Sequence, residues 1–262
     1  MIEIDPLLVR EVIENGKRTD SRGLTDYREI SVETNVVPSA EGSARVRIGD
    51  TDVLAGVKID VGTPFGDTPD EGVLMVGTEF LPLANAEFES GPPNENAVEV
   101  ARVVDRAIRE SKSIDFSKLC ITPGEKVWMV YVDVDVLDDH GNLIDAASLA
   151  AMAALMNAKM PVLGEDGKVD HDKKGTEPLP IAGKPLCTTF VKIGDKIIVD
   201  PTSAETHAMD ARLTVGTFEK NGVKLCSMQK GGMLGLTLDE IESIVKLAEE
   251  KGQELRKHLA QT

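Results

Sequence analysis

Three arginines, Arg102, Arg106 and Arg109, recur at positions i, i+4 and i+7 in the stretch "ENAVEVARVVDRAIRESKS", residues 95–113. At about 100° per residue, a helix places Arg106 and Arg109 within about 40° of Arg102. The three side chains would form one cationic line, which we call the arginine ridge. Because guanidinium groups bind phosphate oxygens through a planar fork of donors, this ridge suits the backbone of a nucleic acid.

The same stretch supports a second interpretation, in which the arginines are neutralised by acids of their own helix. Four acid–arginine pairs have the i, i+3 or i, i+4 spacing that favours helical ion pairs: Glu99–Arg102, Arg102–Asp105, Asp105–Arg109 and Arg106–Glu110. Runs of charge most often form solvated surfaces. From pattern alone, the ion-paired surface is the favoured interpretation, and the phosphate-binding ridge remains the alternative.

Other residues that could do chemistry are less informative. Asp133 and Asp135 share a predicted strand face, and paired carboxylates can bind a divalent cation or transfer protons. Their spacing does not match a Ca²⁺ loop, and alternating aspartates are typical of a solvated strand. Neither a P-loop nor a G-x-G-x-x-G order is present. The four histidines lack metal-ligand spacing, so no metal or cofactor is expected.

The elements that must position the ridge predict an α+β protein of two lobes. A short N-terminal helix has Leu7, Leu8, Val12 and Ile13 at helical spacing and ends at Gly16. Strand-like stretches follow, with "GDTD" as a hairpin turn, and the prolines of "GPPNEN" lead into the ridge helix.

Beyond the ridge, valines 130–136 alternate with polar residues and predict a half-buried strand. The small apolar stretch "AASLAAMAALMNA" predicts a helix packed on more than one side. A final helix opens with "TLDE", in which Thr237 and Glu240 fit a capping box. We therefore predict a helix over 1–16, a lobe over 17–160, a linker over 161–185 and a second lobe over 186–262.

Composition limits the classes of function. The chain has 262 residues, 29 basic against 45 acidic, and a net charge of −16. Because neutralisation of phosphates supplies most nucleic-acid affinity, this balance argues against a self-sufficient RNA- or DNA-binding protein. Three widely spaced cysteines indicate reduced thiols. With neither a signal peptide nor a membrane-spanning apolar run, a cytoplasmic location and no membrane association are expected.

Several stretches of the sequence also resemble a known protein family. "GKRTDSRGLTDYREISVET" resembles the N-terminal signature of the RNase PH family, with Arg18, Asp20, Arg22 and Arg28 at the positions of its R-x-D-[GS]-R run and following arginine. The stretches "GSARVRIGDTDVLAGVKIDVG", "GPPNENAVEVARVVDRAIRESKSID" and "KIIVDPTSAETHAMDARLTVG" continue the resemblance over roughly residues 17–260. It implies an RNase PH-type fold of two β-sheet/helix lobes in one compact chain.

Departures from the active members of this family indicate its non-catalytic branch, the RNase PH-like ring subunit of the archaeal exosome. Asn96 stands where active members have a phosphate-binding arginine, and "GNLIDAAS" lacks the arginine of their G-T-R-T-A-S loop. Asp145 falls near that arginine's place, where it would repel phosphate. Arg212 aligns with their catalytic aspartate, and Asp210 lies two residues earlier.

The resemblance implies a hexameric ring in which three copies of this chain alternate with three copies of a catalytic relative. The ring would degrade single-stranded RNA from its 3′ end with inorganic phosphate, which is used at the partner's site, and RNA-binding cap subunits would dock on it. The chain itself would have no catalytic residues, and Arg102, Arg106 and Arg109 would hold RNA. Two alternatives stay open: a phosphorolytic enzyme in its own right that uses Asp210, and a purely structural spacer.

Overall fold

The architecture comes from a computed structural model that describes residues 5–164, 167–170, 173 and 175–259. The ends of the predicted N-terminal and C-terminal segments, and part of the predicted linker, lie outside the described residues. The N-terminal half comprises α1 (Pro6–Glu14), β1 (Ile30–Thr34), β2 (Gly42–Ile48), β3 (Thr51–Gly62), β4 (Val73–Phe80), α2 (Glu95–Glu110), β5 (Cys120–Thr122), β6 (Lys126–Asp138) and α3 (Leu143–Asn157). The C-terminal half comprises β7 (Leu186–Ile193), β8 (Lys196–Val199), α4 (Ser203–His207), β9 (Ala211–Glu219), β10 (Val223–Gly231) and α5 (Leu238–His258).

The first sheet has the strand order β1-β2-β3-β6-β4, and β5 pairs with β6. The predicted hairpin joins β2 to β3, and β4 runs parallel to β6 while the other strands pair antiparallel. Along β6, Val130, Val132 and Val134 are buried whereas Asp133 is exposed. The half-buried strand predicted from alternation is therefore confirmed.

The second sheet has the order β10-β9-β7-β8, with all pairs antiparallel. Helix α5 packs on one face of it, where Ile244 and Ala248 lie against Leu213 and Val215. Thr237 caps the N-terminus of this helix, and its side chain accepts a hydrogen bond from the backbone of Glu240 in the predicted capping box. Two sheet-and-helix lobes result, and the α+β fold class is confirmed.

Helix α3 lies in the shared interior of the two lobes. Twelve of its 15 residues are buried, and it contacts β2 and β3 of the first sheet and β7 of the second. This is the multi-sided packing that its small apolar residues predicted, because alanine lets strands approach a helix closely from several directions. The two sheets are thereby held in a fixed arrangement.

The N-terminal helix exists, but its buried face differs from the predicted one. Val9 and Ile13, one turn apart, pack on the second sheet against Val191 and neighbouring apolar residues. Leu7 and Leu8, at its first turn, are 74% and 52% exposed. Helical spacing alone did not distinguish these faces, since apolar residues occur on both sides of α1. No helix in the described ranges is long and apolar enough to cross a membrane.

Candidate nucleic-acid interface

Helix α2 presents the arginine ridge because its other face is buried. Asn94 caps the N-terminus of α2, and its side chain accepts a 2.9 Å hydrogen bond from the backbone of Ala97. Its buried residues are Ala97, Val100, Ala101, Val103, Val104, Ala107 and Ile108. Burial of this face against the first sheet and α3 leaves Arg102, Arg106 and Arg109 on the exposed side, as predicted.

The side chains of Arg102 and Arg106 make neither a hydrogen bond nor an ion pair with any residue that the structure describes. Of the four ion pairs that the spacing allows, only Asp105–Arg109 forms, with 2.7 Å between carboxylate and guanidinium. The interpretation of the ridge as an ion-paired surface is therefore wrong for Arg102 and Arg106. Their guanidinium groups keep all their donors for a ligand.

Arg109 differs from its two neighbours on the ridge. Besides its pair with Asp105, it donates a 2.9 Å hydrogen bond to the carbonyl of Leu74 on β4. Its guanidinium carbon lies 6.0 Å from the centre of the Phe116 ring. These contacts anchor Arg109 to the first sheet, so an RNA contact by this residue stays a prediction.

Arg102 and Arg106 lie between two open clefts. One, of about 250 Å³, separates α2 from β10 and is lined by Val98, Glu99 and the strand residues Ser227, Met228 and Gln229. The other, of about 310 Å³, lies towards Val76 of β4. An extended chain passing over α2 would thus meet two donors one helical turn apart. Local sequence patterns could not indicate that β10 lies here, because its residues are more than a hundred positions away.

Glu99, at the edge of the α2–β10 cleft, is bound from the other lobe. Arg212 of β9 donates to its carboxylate at 2.5 Å, and Gln229 of β10 donates to the same oxygen at 3.2 Å. Arg212 is the residue that the resemblance to active family members places at the position of their catalytic aspartate. In this chain that position carries a cation whose partner is Glu99.

Asp210, on which the alternative of an independent enzyme depends, binds residues away from the two clefts. Arg10 of α1 donates to both its carboxylate oxygens, at 2.5 and 3.1 Å, and the Gly194 amide donates at 2.8 Å. The hydrogen bond from Arg10 lowers the pKa of Asp210 below its ordinary value. Asp210 lines neither cleft, so its carboxylate is a structural anion that ties α1 to the second lobe.

The position of Asp145 shows that the prediction of a carboxylate repelling phosphate is wrong. It is fully buried at the start of α3, where one oxygen accepts hydrogen bonds from Tyr27, Asn142 and the Thr189 amide at 2.8–3.0 Å. A carboxylate enclosed in this way does not face an approaching phosphate. Its other oxygen is buried without a hydrogen-bond partner. Burial raises the pKa of Asp145 to about 6.

We expect Asp145 to make folding stability depend on pH. Its pKa is about 6 in the folded chain and about 3.9 in the unfolded chain. The contribution of protonated Asp145 to the free energy of unfolding is therefore complete below pH 4. That contribution falls by about 1.4 kcal/mol per pH unit as the pH rises towards 6. Asp145→Asn, which can keep the three hydrogen bonds through its amide oxygen, should remove this slope. Urea denaturation at several pH values from 4.5 to about 7 measures the slope of the free energy of unfolding against pH. The exposed Asp195→Asn is the control. Equal slopes for wild type and Asp145→Asn would show that Asp145 is not the group responsible.

The signature arginines have structural roles. Arg18 is buried and forms a bidentate salt bridge with buried Glu205 of α4, with nitrogen–oxygen distances of 2.8 and 2.5 Å. Arg22 and Arg28 both bind the buried carboxylate of Asp200, at 2.7 and 2.8 Å. Although burial by itself raises the pKa of Asp200, the hydrogen bonds from Arg28 hold it below its ordinary value. These contacts fix the N-terminal segment to the second lobe.

No cluster of metal-ligating side chains occurs within the described ranges. Asp133 is exposed and Asp135 is half-buried, and both lie on the first sheet beside Glu79 of β4. Burial, and then repulsion from Glu79, raises the pKa of both aspartates. Neither aspartate lines either of the clefts beside the ridge.

Two sheet-and-helix lobes packed around buried α3 form the fold of the RNase PH class. Two arginines whose side chains have no partner among the described residues lie on the surface helix beside the junction of the lobes. Models of the 3′ exoribonuclease family match its two domains over residues 26–161 and 183–251. The chain belongs to this family, and the resemblance seen in its signature is confirmed.

Individual relatives resemble the chain along almost its full length. The exosome complex component Rrp42 of Methanothermobacter thermautotrophicus is 45% identical, over 98% of this chain and 94% of that protein. A chain in the Archaeoglobus fulgidus exosome with RNA bound to the active site superposes with a TM-score of 0.88 at 42% identity, covering 96% of both chains. A chain of an archaeal exosome core gives 0.85 at 39% identity, covering 97% and 96%.

Proposed function

We propose that this chain is a non-catalytic subunit of an exosome ring, a phosphate-dependent 3′→5′ exoribonuclease complex, in which it holds RNA near a partner's active site. The observation that carries the proposal is the pair Arg102 and Arg106, exposed one turn apart and without partners in the described structure. Exosome components among the similar chains, one in a complex with RNA, support the same assignment.

The arginine pair accounts for RNA binding by an acidic protein. With a net charge of −16, most of the surface repels a polyanion, whereas two free guanidinium groups attract it locally. Contacts to phosphate hold RNA without reading its sequence, which suits general degradation. Holding the 3′ end in place lowers the entropic part of the barrier for a reaction performed by the neighbouring subunit. Arg109 adds positive charge beside this pair.

The absence of a catalytic role is supported by three positions. Asn96 and the arginine-free segment 141–148 lack the phosphate-binding side chains of active members, and Arg212 stands in place of the acid. Asp210 is bound by Arg10. No observation favours the alternative of an independent enzyme. Inorganic phosphate would be bound and used at the partner's site.

The proposed ring implies specific protein partners for this chain. We expect a catalytic RNase PH-like subunit, alternating with this chain in a trimer of heterodimers, and RNA-binding cap subunits. The three cysteines are free thiols, which supports a reducing, cytoplasmic setting.

Reconstitution tests this function. The purified chain, given single-stranded RNA and inorganic phosphate, should release no nucleoside diphosphate above background. Assembly with its catalytic RNase PH-like relative should give a complex whose mass fits an alternating hexamer and whose RNA decay requires phosphate. Nucleoside diphosphate release by the purified chain, abolished by Asp210→Asn, would instead establish the independent enzyme. Assembly with activity unaffected by loss of Arg102 and Arg106 would favour the spacer.

A further inference from the structure

We propose that Arg212 is a positioning residue for Arg102: by binding Glu99, it prevents Glu99 from neutralising Arg102. This inference rests on the proposed function, since it concerns the same arginine pair. It assigns a role to the residue that stands in place of the family's catalytic acid.

Two acids of α2 are within helical reach of Arg102. Glu99 precedes it by three residues and Asp105 follows it by three, and pairs at this spacing meet on a helix surface. In the structure both acids are bound by other arginines. Asp105 pairs with Arg109 at 2.7 Å, and Glu99 pairs with Arg212 at 2.5 Å. Both acids within helical reach of Arg102 are therefore bound by another arginine.

The backbone of β10 makes the contact between Arg212 and Glu99 possible. Arg212 of β9 is paired in register with Gly231 of β10, and its guanidinium lies over this glycine. A Cβ atom at Gly231 would come within 2.7 Å of the guanidinium nitrogen, so a side chain there would displace Arg212. Gln229, two residues along the same strand, donates to the carboxylate oxygen that Arg212 binds.

The surroundings favour Arg212 over Arg102 as the partner of Glu99. The Arg212 and Glu99 side chains are 16% and 30% exposed, so their attraction is less screened by water than that of an exposed pair. Arg212 is also held in place by the strand beneath it, whereas Arg102 projects from the helix surface. The junction of the two lobes therefore keeps Arg102 available to an anion.

The test measures RNA binding by the ring assembled from the full chain and its catalytic relative, with a fluorescently labelled single-stranded RNA and no phosphate. Arg212→Gln releases Glu99, which then pairs with Arg102. The affinity should fall about tenfold, as expected for one lost charge-assisted contact. The slope of log affinity against log salt should become shallower by about 0.7.

Two further variants separate positioning from a structural or long-range electrostatic role. In Glu99→Gln/Arg212→Gln the acid is gone, so Arg102 is free and both affinity and slope should return close to wild type. In Arg102→Gln/Arg212→Gln the affinity should equal that of Arg102→Gln alone, because Arg212 acts through Arg102. The melting temperature and mass of each ring establish that assembly is intact.

Three results would overturn the inference: wild-type RNA binding by Arg212→Gln, no recovery in the Glu99→Gln/Arg212→Gln ring, or a further loss when Arg212→Gln is added to Arg102→Gln. Its failure is distinguishable from failure of the proposed function. If Arg102→Gln weakens RNA binding but Arg212→Gln does not, only the positioning role is wrong. If Arg102→Gln itself has no effect, the RNA-holding role of this arginine fails.

Discussion

Replacing both Arg102 and Arg106 with glutamate should weaken RNA binding by the assembled ring about a hundredfold or more. A hydrogen bond to a charged group contributes about 1.5–3 kcal/mol, and about 1.4 kcal/mol corresponds to a factor of ten. Two lost contacts therefore account for about a hundredfold, and the introduced carboxylates add repulsion. Neither arginine has a partner in the described structure, so the loss reports on RNA and not on folding.

The salt dependence gives the sharper measurement. Each phosphate contact with a single strand contributes about 0.7 to the slope of log affinity against log salt, so the double variant should lose about 1.4. Lys246→Glu/Lys257→Glu, on exposed positions of α5, makes the same change in net charge away from α2 and is the matched control. An unchanged slope in the arginine variant, or an equal loss in the lysine variant, would contradict the proposed contact.

The second large effect concerns stability. Arg18→Met should lower the free energy of unfolding by about 3–5 kcal/mol, because it leaves Glu205 as an uncompensated charge in the interior. The side chains of this pair are 0% and 1% exposed. Arg18 also donates to the carbonyls of Val199 and Asp200, and these would lose a partner. The N-terminal segment would then detach more readily from the second lobe.

Urea denaturation of the purified chain measures this loss. Arg18→Met/Glu205→Gln should recover part of it, since the neutral amide removes the buried charge and can still accept from the backbone of Thr202, as Glu205 does. Lys118→Met, which breaks an exposed pair with Asp115, should leave the midpoint unchanged. A double variant less stable than Arg18→Met would show that buried charge is not the cause.

Much of the fold was predictable because it follows from local patterns. The alternation around Asp133, the capping box of Thr237 and Glu240, and the amphipathic face of α2 each depend on neighbours within a few positions. The packing of α3 on more than one side was indicated by its small apolar residues, although not that its neighbours would be two sheets. Chain order, however, could not indicate which buried face α1 would use or that β10 would border the ridge.

The sequence by itself determined that α2 would expose three arginines, since periodicity places them opposite a continuous apolar face. Only the tertiary structure decided which of them are free. Glu99 binds Arg212, 113 residues away, and not Arg102 three residues away, while Asp145 is buried against Tyr27 instead of facing a ligand. The physical reason is that the partner of a charge is set by burial and by the fixed position of competing groups, and both arise only when the two lobes pack together.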